Sequence, residues 1–287
     1  MKENIFCFII LHYLAVEDTI ECIESICKRF IDENVKIVVV DNASPDNTGD
    51  LLENNYKDKK NINVIHCKLN QGFSKGNNIG IKFARDKYNP DYIIVINNDT
   101  VVIQDDFLNI IQNDYKDNEF AVLGPKILDP DNCNNSNPLY IGENKTVKNL
   151  KMIYKMWRKQ YIKVFINLDK IHPFVKETVN KIDVQSQPIE TKLENIELHG
   201  CCLIFSRKYF EYYNGFEELT FMYGEESILK MNCDKYNLKL LYDPHLNIYH
   251  KEGVSTKKER KSKKSKLLFY KRMMFASKQI YLKRKKR

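Results

Sequence analysis

Acid and amide side chains follow two short apolar runs in the first hundred residues of the chain. Residues 36–40 lead directly into Asp41, and residues 92–96 lead into an Asn-Asn-Asp segment that ends at Asp99. Short runs of β-branched residues suit strands buried on both faces of a parallel sheet, and the carboxyl ends of such strands meet at a ligand-binding crevice. Carboxylates at that edge suit a nucleotide and a divalent metal. Asx-rich turns after two core strands are the alternative, and the glycine- and asparagine-rich turn between the runs favours the binding site.

The elements that would position these residues alternate along the first 125 positions. Apolar runs predict strands at residues 5–13, 36–40, 63–67, 92–96 and 120–124, and apolar residues at helical spacing predict helices at 17–30, 74–88 and 104–117. Asn89-Pro90 ends the second of these helices, because proline disfavours helical geometry in the residue before it. The alternation predicts an α/β fold with a mainly parallel central sheet flanked by helices.

The second half of the chain is less regular before clear patterns return. Residues 132–137 form an asparagine-rich loop, and residues 147–168 mix lysines with apolar side chains, which predicts an amphipathic helix or a pair of helices. Acceptor binding and simple packing are equally good interpretations of that segment. Further along, the patterns predict a strand at 196–206, a helix ending at Tyr236 and a strand at 240–244.

The composition is that of a globular protein with a sizeable core. Hydrophobic residues make up 43% of the chain, and no apolar stretch approaches the ~20 residues needed to cross a bilayer. The apolar run 5–11 is followed at once by His12 and lacks the basic region of a signal peptide, so we expect a first strand and a cytoplasmic protein. The eight cysteines form no Cys-x-x-Cys pair, which favours buried free thiols over a zinc site or a disulfide framework.

Positive charge is concentrated near the C-terminal end. Residues 257–287 hold fifteen Lys and Arg and one acid, so their net charge of +14 leaves −6 on residues 1–256 within the total of +8. Such a tail can be a solvated arm, a nucleic-acid contact or a membrane-surface anchor. The apolar and aromatic residues among its cations favour a helix in a membrane interface, whereas the acidic body would repel a nucleic acid beside it. On this interpretation, removing the tail should release the protein from anionic membranes and preserve its other activities.

Several short motifs follow one another in a defined order: Leu11-His-Tyr13, Val40-Asp-Asn-Ala-Ser44, Asn70-Gln-Gly-Phe-Ser-Lys-Gly-Asn-Asn-Ile-Gly80, Asn97-Asn-Asp99, His199-Gly-Cys201, Gly215-Phe216, Tyr223-Gly-Glu-Glu226 and His250. Together they resemble glycosyltransferase family 2, the inverting enzymes of GT-A fold, and within it the rhamnosyltransferase-like branch. The resemblance covers residues 5–125 and 196–275. It implies a nucleotide-sugar-binding half at 1–125, a variable insert at 126–195, a catalytic and acceptor half at 196–256, and a basic amphipathic helical tail at 257–287.

The resemblance implies a metal-dependent transfer of sugar from a nucleotide diphosphate, with Mg²⁺ or Mn²⁺ neutralising the leaving diphosphate. Asp99 lies where the family has its metal-binding Asp-x-Asp motif. Asn97 replaces the first acid, which leaves one anionic ligand and implies weak metal binding in the absence of donor. His250 aligns with a histidine that completes the metal site or contacts the diphosphate, and a purely structural histidine is the alternative.

Six residues match positions that the family uses for its donor: Tyr13, Asp41, Gly72, Lys75, Gly76 and Asn98. Asp41 would hydrogen-bond the nucleoside and Tyr13 would stack on a pyrimidine, while the glycines permit close backbone approach. Plainer interpretations are a turn acid or helix cap for Asp41 and a core aromatic for Tyr13. Gly76 would then be a helix-start residue and Lys75 a solvated charge.

Glu226 matches the family's catalytic base, which deprotonates the acceptor hydroxyl. The family usually has an aspartate here, and the longer reach of a glutamate makes Glu225 a competitor for the role. The alternative is that both residues are acids in the first turn of a helix, stabilised by its dipole.

The resemblance also implies partners and a location. It indicates a UDP- or dTDP-sugar donor and a saccharide or lipid-linked oligosaccharide acceptor in bacterial surface polysaccharide synthesis, such as capsule or O-antigen. The enzyme would lie at the inner face of the cell membrane, held peripherally by its tail on an anionic surface, with no nucleic-acid partner.

The same motifs leave two other functions open and argue against two more. A catalytically inactive protein of this fold stays open because Asn97 and Glu226 depart from the commonest pattern. A sugar nucleotidyltransferase also stays open, although its glycine- and arginine-rich loop after the first strand is missing. The absence of Gly-x-Gly-x-x-Gly after the first strand, and of Gly-x-x-x-x-Gly-Lys-Ser/Thr, argues against a dehydrogenase and a P-loop enzyme.

Overall fold

Strands and helices alternate through most of the computed structural model, which describes residues 4–30, 34–130, 136–139, 146–168, 189–251 and 262–286. The strands are β1 Phe6–His12, β2 Val35–Asp41, β3 Ile62–His66, β4 Tyr92–Asn97, β5 Thr100–Val102, β6 Val122–Leu128, β7 Leu193–Glu194, β8 Cys202–Ser206 and β9 Leu240–His250. The helices are α1 Val16–Arg29, α2 Thr48–Tyr56, α3 Gly72–Tyr88, α4 Phe107–Asn118, α5 Val147–Phe165, α6 Arg207–Phe210, α7 Glu225–Lys235 and α8 Lys263–Lys285. Cys133, residues 132–135 of the asparagine-rich loop and residues 257–261 of the predicted tail lie outside the described ranges.

Four parallel strands form the half of the sheet that carries the first acid groups. β1 pairs with β2 and β4, and β2 pairs with β3, all in parallel. In this register His12 is level with Asp41, and Leu11 is level with Asn97. The carboxyl ends of β1, β2 and β4 therefore meet at one edge, as the sequence predicts.

The other half of the sheet is mixed in direction. Within the described residues the strand order is β3-β2-β1-β4-β8-β6-β9-β5, with β7 paired to β9. β8 runs antiparallel to both β4 and β6, and β5 runs antiparallel to the end of β9, whereas β6 and β9 are parallel. The α/β class and the flanking helices are confirmed. Strand direction is not visible in composition, because β8 is buried on both faces just as the parallel strands are.

The sequence patterns missed four short elements, namely α2, β5, β7 and α6. α2 lies in a polar, Asx-rich stretch, and it is helical because Leu52 and Tyr56, one turn apart, are both buried. β5 has three residues and exists through its pairing with β9. β9 also continues to His250, beyond the predicted end at 244, and the predicted strand at 196–206 begins only at Cys202.

Apolar layers cover both faces of the sheet, and a smaller cluster joins the last helix to the body. α1, α2 and α4 pack on one face and α3, α6 and α7 on the other. The smaller cluster consists of Leu150 of α5, Ile228 and Met231 of α7, and Ile280 of α8. The segments predicted as an insert and a tail thus contribute α5 and α8 to one packed unit on α7.

Two predictions from composition bear on this architecture. The cysteines of the described ranges are free thiols, and most of them are buried. No helix of the described part is both long enough and apolar enough to span a membrane.

Candidate functional site

Asp99 and His250 lie side by side at the carboxyl edge of the sheet. The pairing of β5 with β9 sets Thr100 opposite His250, and the backbone N–H of Lys251 donates to the carbonyl of Asp99 at 3.0 Å. Nε2 of His250 consequently lies 3.1 Å from Oδ1 of Asp99. The structure brings together the two residues that the sequence assigned to a metal.

The geometry of this pair suits two ligands of one divalent cation. Neighbouring ligand atoms around an octahedral ion of Mg²⁺ size lie roughly 3 Å apart, which is close to the separation of Oδ1 and Nε2. The side chains of His250 and Asp99 are only 10% and 14% exposed. Nδ1 of His250 is buried without a hydrogen-bond partner among the described residues, which is uncommon for a histidine that serves packing alone.

His199 is a neighbour that the sequence analysis included in a motif but gave no role. Its ring centroid is 6.0 Å from that of His250. The backbone N–H of His199 donates to Oδ1 of Asn137 at 2.9 Å, and Nδ2 of Asn137 donates to the carbonyl of Pro125 at 2.7 Å. These bonds hold the turn before β8 against β6.

The protonation of His199 follows from its surroundings. The backbone N–H of Cys201 donates to Nδ1 of His199 at 3.1 Å, so the neutral ring carries its proton on Nε2. Burial, with a further contribution from nearby His250, lowers the pKa of His199 to about 4. His199 is therefore a neutral hydrogen-bond donor at physiological pH.

Glu225 and Glu226 open α7 in different environments. Glu225 is 8% exposed, and burial together with the charge of Glu226 holds the pKa of Glu225 well above its ordinary value of 4.5. Glu226 is half-buried. Its Oε1 lies so close to Gly200 that a Cβ on Gly200 would be only 2.8 Å from it. Burial thus favours the protonated form of one acid of the pair, while the other acid reaches the turn that carries His199.

A hydrogen bond fixes the start of α7 against that same turn. Oγ of Ser227 donates to Oε1 of Glu197 at 2.7 Å. The candidate site is a continuous series of four residues: Asp99, His250, His199 and Glu226. Asp99 contacts His250, the ring of His250 lies beside that of His199, and Glu226 lies against Gly200, the residue after His199.

Tyr13, Asp41 and Asn98 occupy the edge formed by β1, β2 and β4. Tyr13 is 40% exposed just beyond β1, so it is not a core aromatic. Asp41 is 5% exposed, and its Oδ1 accepts the backbone N–H of Ser44 at 3.1 Å, which is the contact expected of a turn acid. Nδ2 of Asn98 donates to Oγ1 of Thr19 at 3.0 Å and joins this edge to α1.

Gly72 and Gly76 let α3 pack closely against other parts of the protein. Gly72 has φ of 75°, and a Cβ there would lie 2.0 Å from the carbonyl oxygen of Phe221. A Cβ on Gly76 would lie 2.6 Å from Cδ1 of Leu11. Packing therefore explains both glycines, and donor contact by them stays a prediction.

Lys75 lies on the exposed side of α3. It lines a groove of about 820 Å³ between α3 and residues 213–218. The structure shows no contact between Lys75 and the Asp99–His250 pair, so its donor-binding role also stays a prediction.

His12 and Asn42 support the crevice, although the sequence analysis gave neither a role. His12 is fully buried, with Nδ1 2.8 Å from Oγ1 of Thr19 and Nε2 2.9 Å from Oγ1 of Thr48, so it joins the starts of α1 and α2. Burial lowers the pKa of His12. Oδ1 of Asn42 accepts the backbone N–H of Gln71 at 2.7 Å and holds the turn before α3. The sequence signal was present, since both residues lie inside the quoted motifs.

A second group of potential metal ligands lies on the surface. Asp50, Glu53 and His66 place one ligand atom each within 4.8 Å of one another, and all three are exposed. Exposed acidic groups of this kind are common without a metal, and none of these residues was predicted as a ligand. The buried Asp99–His250 pair is the better candidate.

Comparison with known proteins identifies the family. The sequence matches the model of glycosyl transferase family 2 over residues 7–213. The chain belongs to this family. The predicted family and the class of enzyme, a glycosyltransferase, are thereby confirmed.

Curated relatives of this family member carry related names. The low-salt glycan biosynthesis hexosyltransferase Agl10 of Haloferax volcanii is 23% identical over 246 residues, which is 86% of this chain and 67% of that protein. The glycosyltransferase GlyG of Streptococcus pneumoniae is 26% identical over 105 residues, covering 37% of this chain and 33% of that protein.

Solved structures with the same fold include TarS and a mannosyltransferase. TarS residues 1–349 from S. aureus superposes with a TM-score of 0.51 and 16% identity, covering 86% of this chain and 60% of that one. The mannosyltransferase PcManGT from Pyrobaculum calidifontis, in complex with GDP-Man and Mn²⁺, gives a TM-score of 0.54 and 11% identity, covering 89% and 59%. The GT-A fold is confirmed, and this chain spans about 60% of the length of these solved chains.

The raised pKa of Glu225 predicts a pH dependence of stability. A carboxyl group with a higher pKa in the folded state keeps a proton that the unfolded chain releases, so stability falls as the pH rises above 4.5. Glu225→Gln removes this loss. We expect the variant to have a larger free energy of unfolding than the wild type at about pH 8 and a similar one at about pH 4, measured by urea denaturation.

Glu211, an exposed glutamate, provides the matched control. Glu211→Gln should change stability by less than about 0.5 kcal/mol at either pH. If Glu225→Gln gave the same small change, Glu225 would not be held protonated in the folded protein.

Proposed function

We propose that this chain transfers a sugar from a nucleotide-diphosphate donor to a hydroxyl of a saccharide acceptor, with inversion at the anomeric carbon. The observation that carries the proposal is the continuous series of Asp99, His250, His199 and Glu226 at the carboxyl edge of a GT-A sheet. Two similar structures hold nucleotides, namely TarS with UDP and the mannosyltransferase with GDP-Man. For this chain we propose a UDP- or dTDP-sugar.

Glu226 is the proposed base. A general base must be ionised at the working pH to accept the proton of the attacking hydroxyl. Glu225 is less suited to this requirement than Glu226, because burial and the neighbouring charge raise the pKa of Glu225. Glu226 lies against Gly200, next to His199, so its carboxylate is the one directed towards the site.

Asp99 and His250 are the proposed ligands of Mg²⁺ or Mn²⁺. A bound ion would supply positive charge that stabilises the leaving diphosphate. A nitrogen ligand suits a transition metal better than Mg²⁺, which favours Mn²⁺. Since Asn97 is neutral, Asp99 is the one anionic ligand of the Asn-x-Asp segment, and the donor phosphates would complete the coordination.

The donor's nucleoside would lie between Tyr13 and Asp41. The exposed ring of Tyr13 is available for stacking, and Asp41 ends β2 at the level of His12. Asn98, Gly72, Lys75 and Gly76 are the further proposed donor-side residues.

An exposed row of α8 supports a peripheral membrane contact. The row consists of residues spaced three or four apart on one side of the helix: Lys264, Leu268, Lys271, Phe275, Lys278, Leu282 and Lys285. We call these residues the outer row. Leu268 and Phe275 are each 46% exposed. Alternating lysines and apolar side chains suit an anionic membrane interface, where each cation contributes about 1 kcal/mol.

We therefore propose a lipid-linked saccharide acceptor at the inner face of the cell membrane, in surface polysaccharide synthesis. Only the outer row of the tail supports this location. Other apolar residues of α8, such as Ala276 and Ile280, are buried within the protein.

Asp99→Ala tests the metal site. Mn²⁺ with UDP or dTDP at 100 times the dissociation constant should stabilise the wild type by roughly 2.7 kcal/mol. Asp99→Ala should lose the Mn²⁺-dependent part of this gain, because it removes the anionic ligand, and Asp99→Asn should lose less. Calorimetric titration and chemical denaturation measure the two effects.

Asp105→Ala is the control for that experiment, since the Asp105 side chain is 94% exposed and lies beside Arg29, at the end of α1 remote from Asp99. It should bind Mn²⁺ and nucleotide normally. Normal Mn²⁺-dependent binding by Asp99→Ala would show that the metal lies elsewhere.

Glu226→Gln tests the base. A thermal-shift panel of UDP-, dTDP- and GDP-sugars with Mn²⁺ first selects the donor, and hydrolysis of that donor is then measured. Glu226→Gln should keep donor affinity and lose about 10² to 10⁴ in rate, because the general base is gone. Glu225→Gln should be milder, since burial already favours the protonated form of Glu225; the reverse order of severity would assign the role to Glu225.

The outer row predicts how the protein binds membranes. Leu268→Ser combined with Phe275→Ser should reduce cosedimentation with phosphatidylglycerol vesicles and leave donor hydrolysis in solution unchanged. Leu51→Ser is the control, because Leu51 is equally exposed on α2. Binding by the wild type should fall as salt rises. Unchanged vesicle binding by the double variant, or preference for DNA over vesicles, would contradict a membrane role.

A further inference from the structure

A second row of α8 residues faces inward and contacts the loop that leads into Glu225 and Glu226. The row consists of Phe269, Arg272, Ala276, Ile280 and Lys283, again spaced three or four residues apart. We call these five residues the inner row, and residues 217–224 the acid loop. Each member of the inner row lies against a residue of the acid loop.

Aromatic and cationic contacts hold the middle of the acid loop. The ring of Phe269 meets that of Tyr223 edge-on, with centroids 5.7 Å apart and planes at 79°. The guanidinium carbon of Arg272 lies 4.9 Å from the centroid of Phe221, and Nη1 of Arg272 is 3.8 Å from Sδ of Met222. A cation above an aromatic ring and an edge-on ring pair are both directional contacts, so they restrict where the loop can lie.

Both ends of the acid loop are also held by the inner row. A Cβ on Gly224 would lie 2.6 Å from Cδ1 of Ile280 and 3.7 Å from Cβ of Ala276. Lys283 forms an ion pair with Glu217. The residue directly before Glu225 is therefore packed against α8 with no room for a side chain.

The backbone of the acid loop needs such support. Tyr223 and Gly224 both have left-handed geometry, with φ of 72° and 83°. A tyrosine in this region is strained, and strain of this kind persists only where the surroundings enforce it. The contact of Tyr223 with Phe269 is the part of those surroundings that α8 supplies.

The other side of the acid loop rests on the start of α3. The carbonyl of Phe221 accepts the backbone N–H of Phe73 at 2.8 Å and lies against Gly72. The loop is thus clamped between the start of α3 and the inner row of α8, and α7 begins where the loop ends.

We propose that the inner row positions the acid pair for catalysis: α8 holds the acid loop so that the carboxylate of Glu226 stays at Gly200. This proposal rests on the proposed function of Glu226 as the base. It assigns Phe269 and Arg272 as positioning residues, which act through the loop and do not touch substrate. It also replaces the expectation that a chain without residues 257–287 keeps its other activities, because that deletion removes the inner row.

The test compares inner-row and outer-row variants of the full-length protein. Phe269→Ala and Arg272→Gln alter the inner row. Their controls are Phe275→Ala and Lys271→Gln, respectively, at exposed positions of the same helix. For each variant kcat and KM of donor hydrolysis are measured, together with the stoichiometry of Mn²⁺-nucleotide binding. Hydrogen exchange of the acid loop is followed in parallel by mass spectrometry.

We expect the inner-row variants to lose between about 10- and 100-fold in kcat, the range that a misplacement of about 1 Å produces. KM and the binding stoichiometry should stay near the wild-type values, and exchange in the acid loop should accelerate. Phe269→Tyr, which keeps the ring, should restore kcat. The outer-row variants should match the wild type in every one of these measurements.

Unchanged kcat in both inner-row variants would overturn the proposal. It would also be overturned if kcat and binding stoichiometry fell by the same factor, since that result indicates general unfolding. If the wild type hydrolysed no donor in the panel, the proposed function would fail by itself. Hydrogen exchange would then decide the positioning role, and equal exchange of the acid loop in inner-row and outer-row variants would overturn it.

Discussion

The antiparallel pairing of β5 with the end of β9 is the contact on which the candidate site depends. It joins a strand from the first half of the chain to the last strand of the sheet, and it sets Asp99 and His250 side by side. Lys251, the next residue, forms an ion pair with Asp18 at 2.8 Å and so ties the same strand end to α1. Without this pairing, the carboxylate of Asp99 would remain at the crevice without the imidazole of His250 beside it.

Burial gives chemically similar side chains of the site different protonation states. Glu225 and Glu226 are adjacent in sequence, yet burial raises the pKa of Glu225, while Glu226 reaches the turn at Gly200. The same effect lowers the pKa of His199 and keeps that ring neutral beside His250. The site therefore combines a carboxyl group of raised pKa with an imidazole of lowered pKa, which is the kind of differentiation that acid–base chemistry requires.

α8 presents two chemically different faces. Its outer row alternates lysines with apolar residues, of which Leu268 and Phe275 are exposed, and its inner row packs on the loop before the acid pair. The predicted tail and insert also contact each other. The ring centroid of Trp157 in α5 lies 6.1 Å from the ring centroids of both Phe269 and Tyr270 in α8. A segment whose composition is typical of a membrane anchor is thus equally a structural neighbour of the candidate catalytic residues.

The sequence by itself determined the α/β class, the parallel strands that end in Asp41 and Asp99, and the family, because buried β-branched runs and short polar motifs are local signals. It also placed Asp99, His250 and Glu226 in one function through their resemblance to the family. Only the tertiary structure decided which residues meet. The direction of β8, the existence of β5, the role of His199 and the inward face of α8 all depend on partners more than thirty residues away. Periodicity and composition carry no record of such partners, because a side chain buried against a distant loop has the same local pattern as one that faces a membrane.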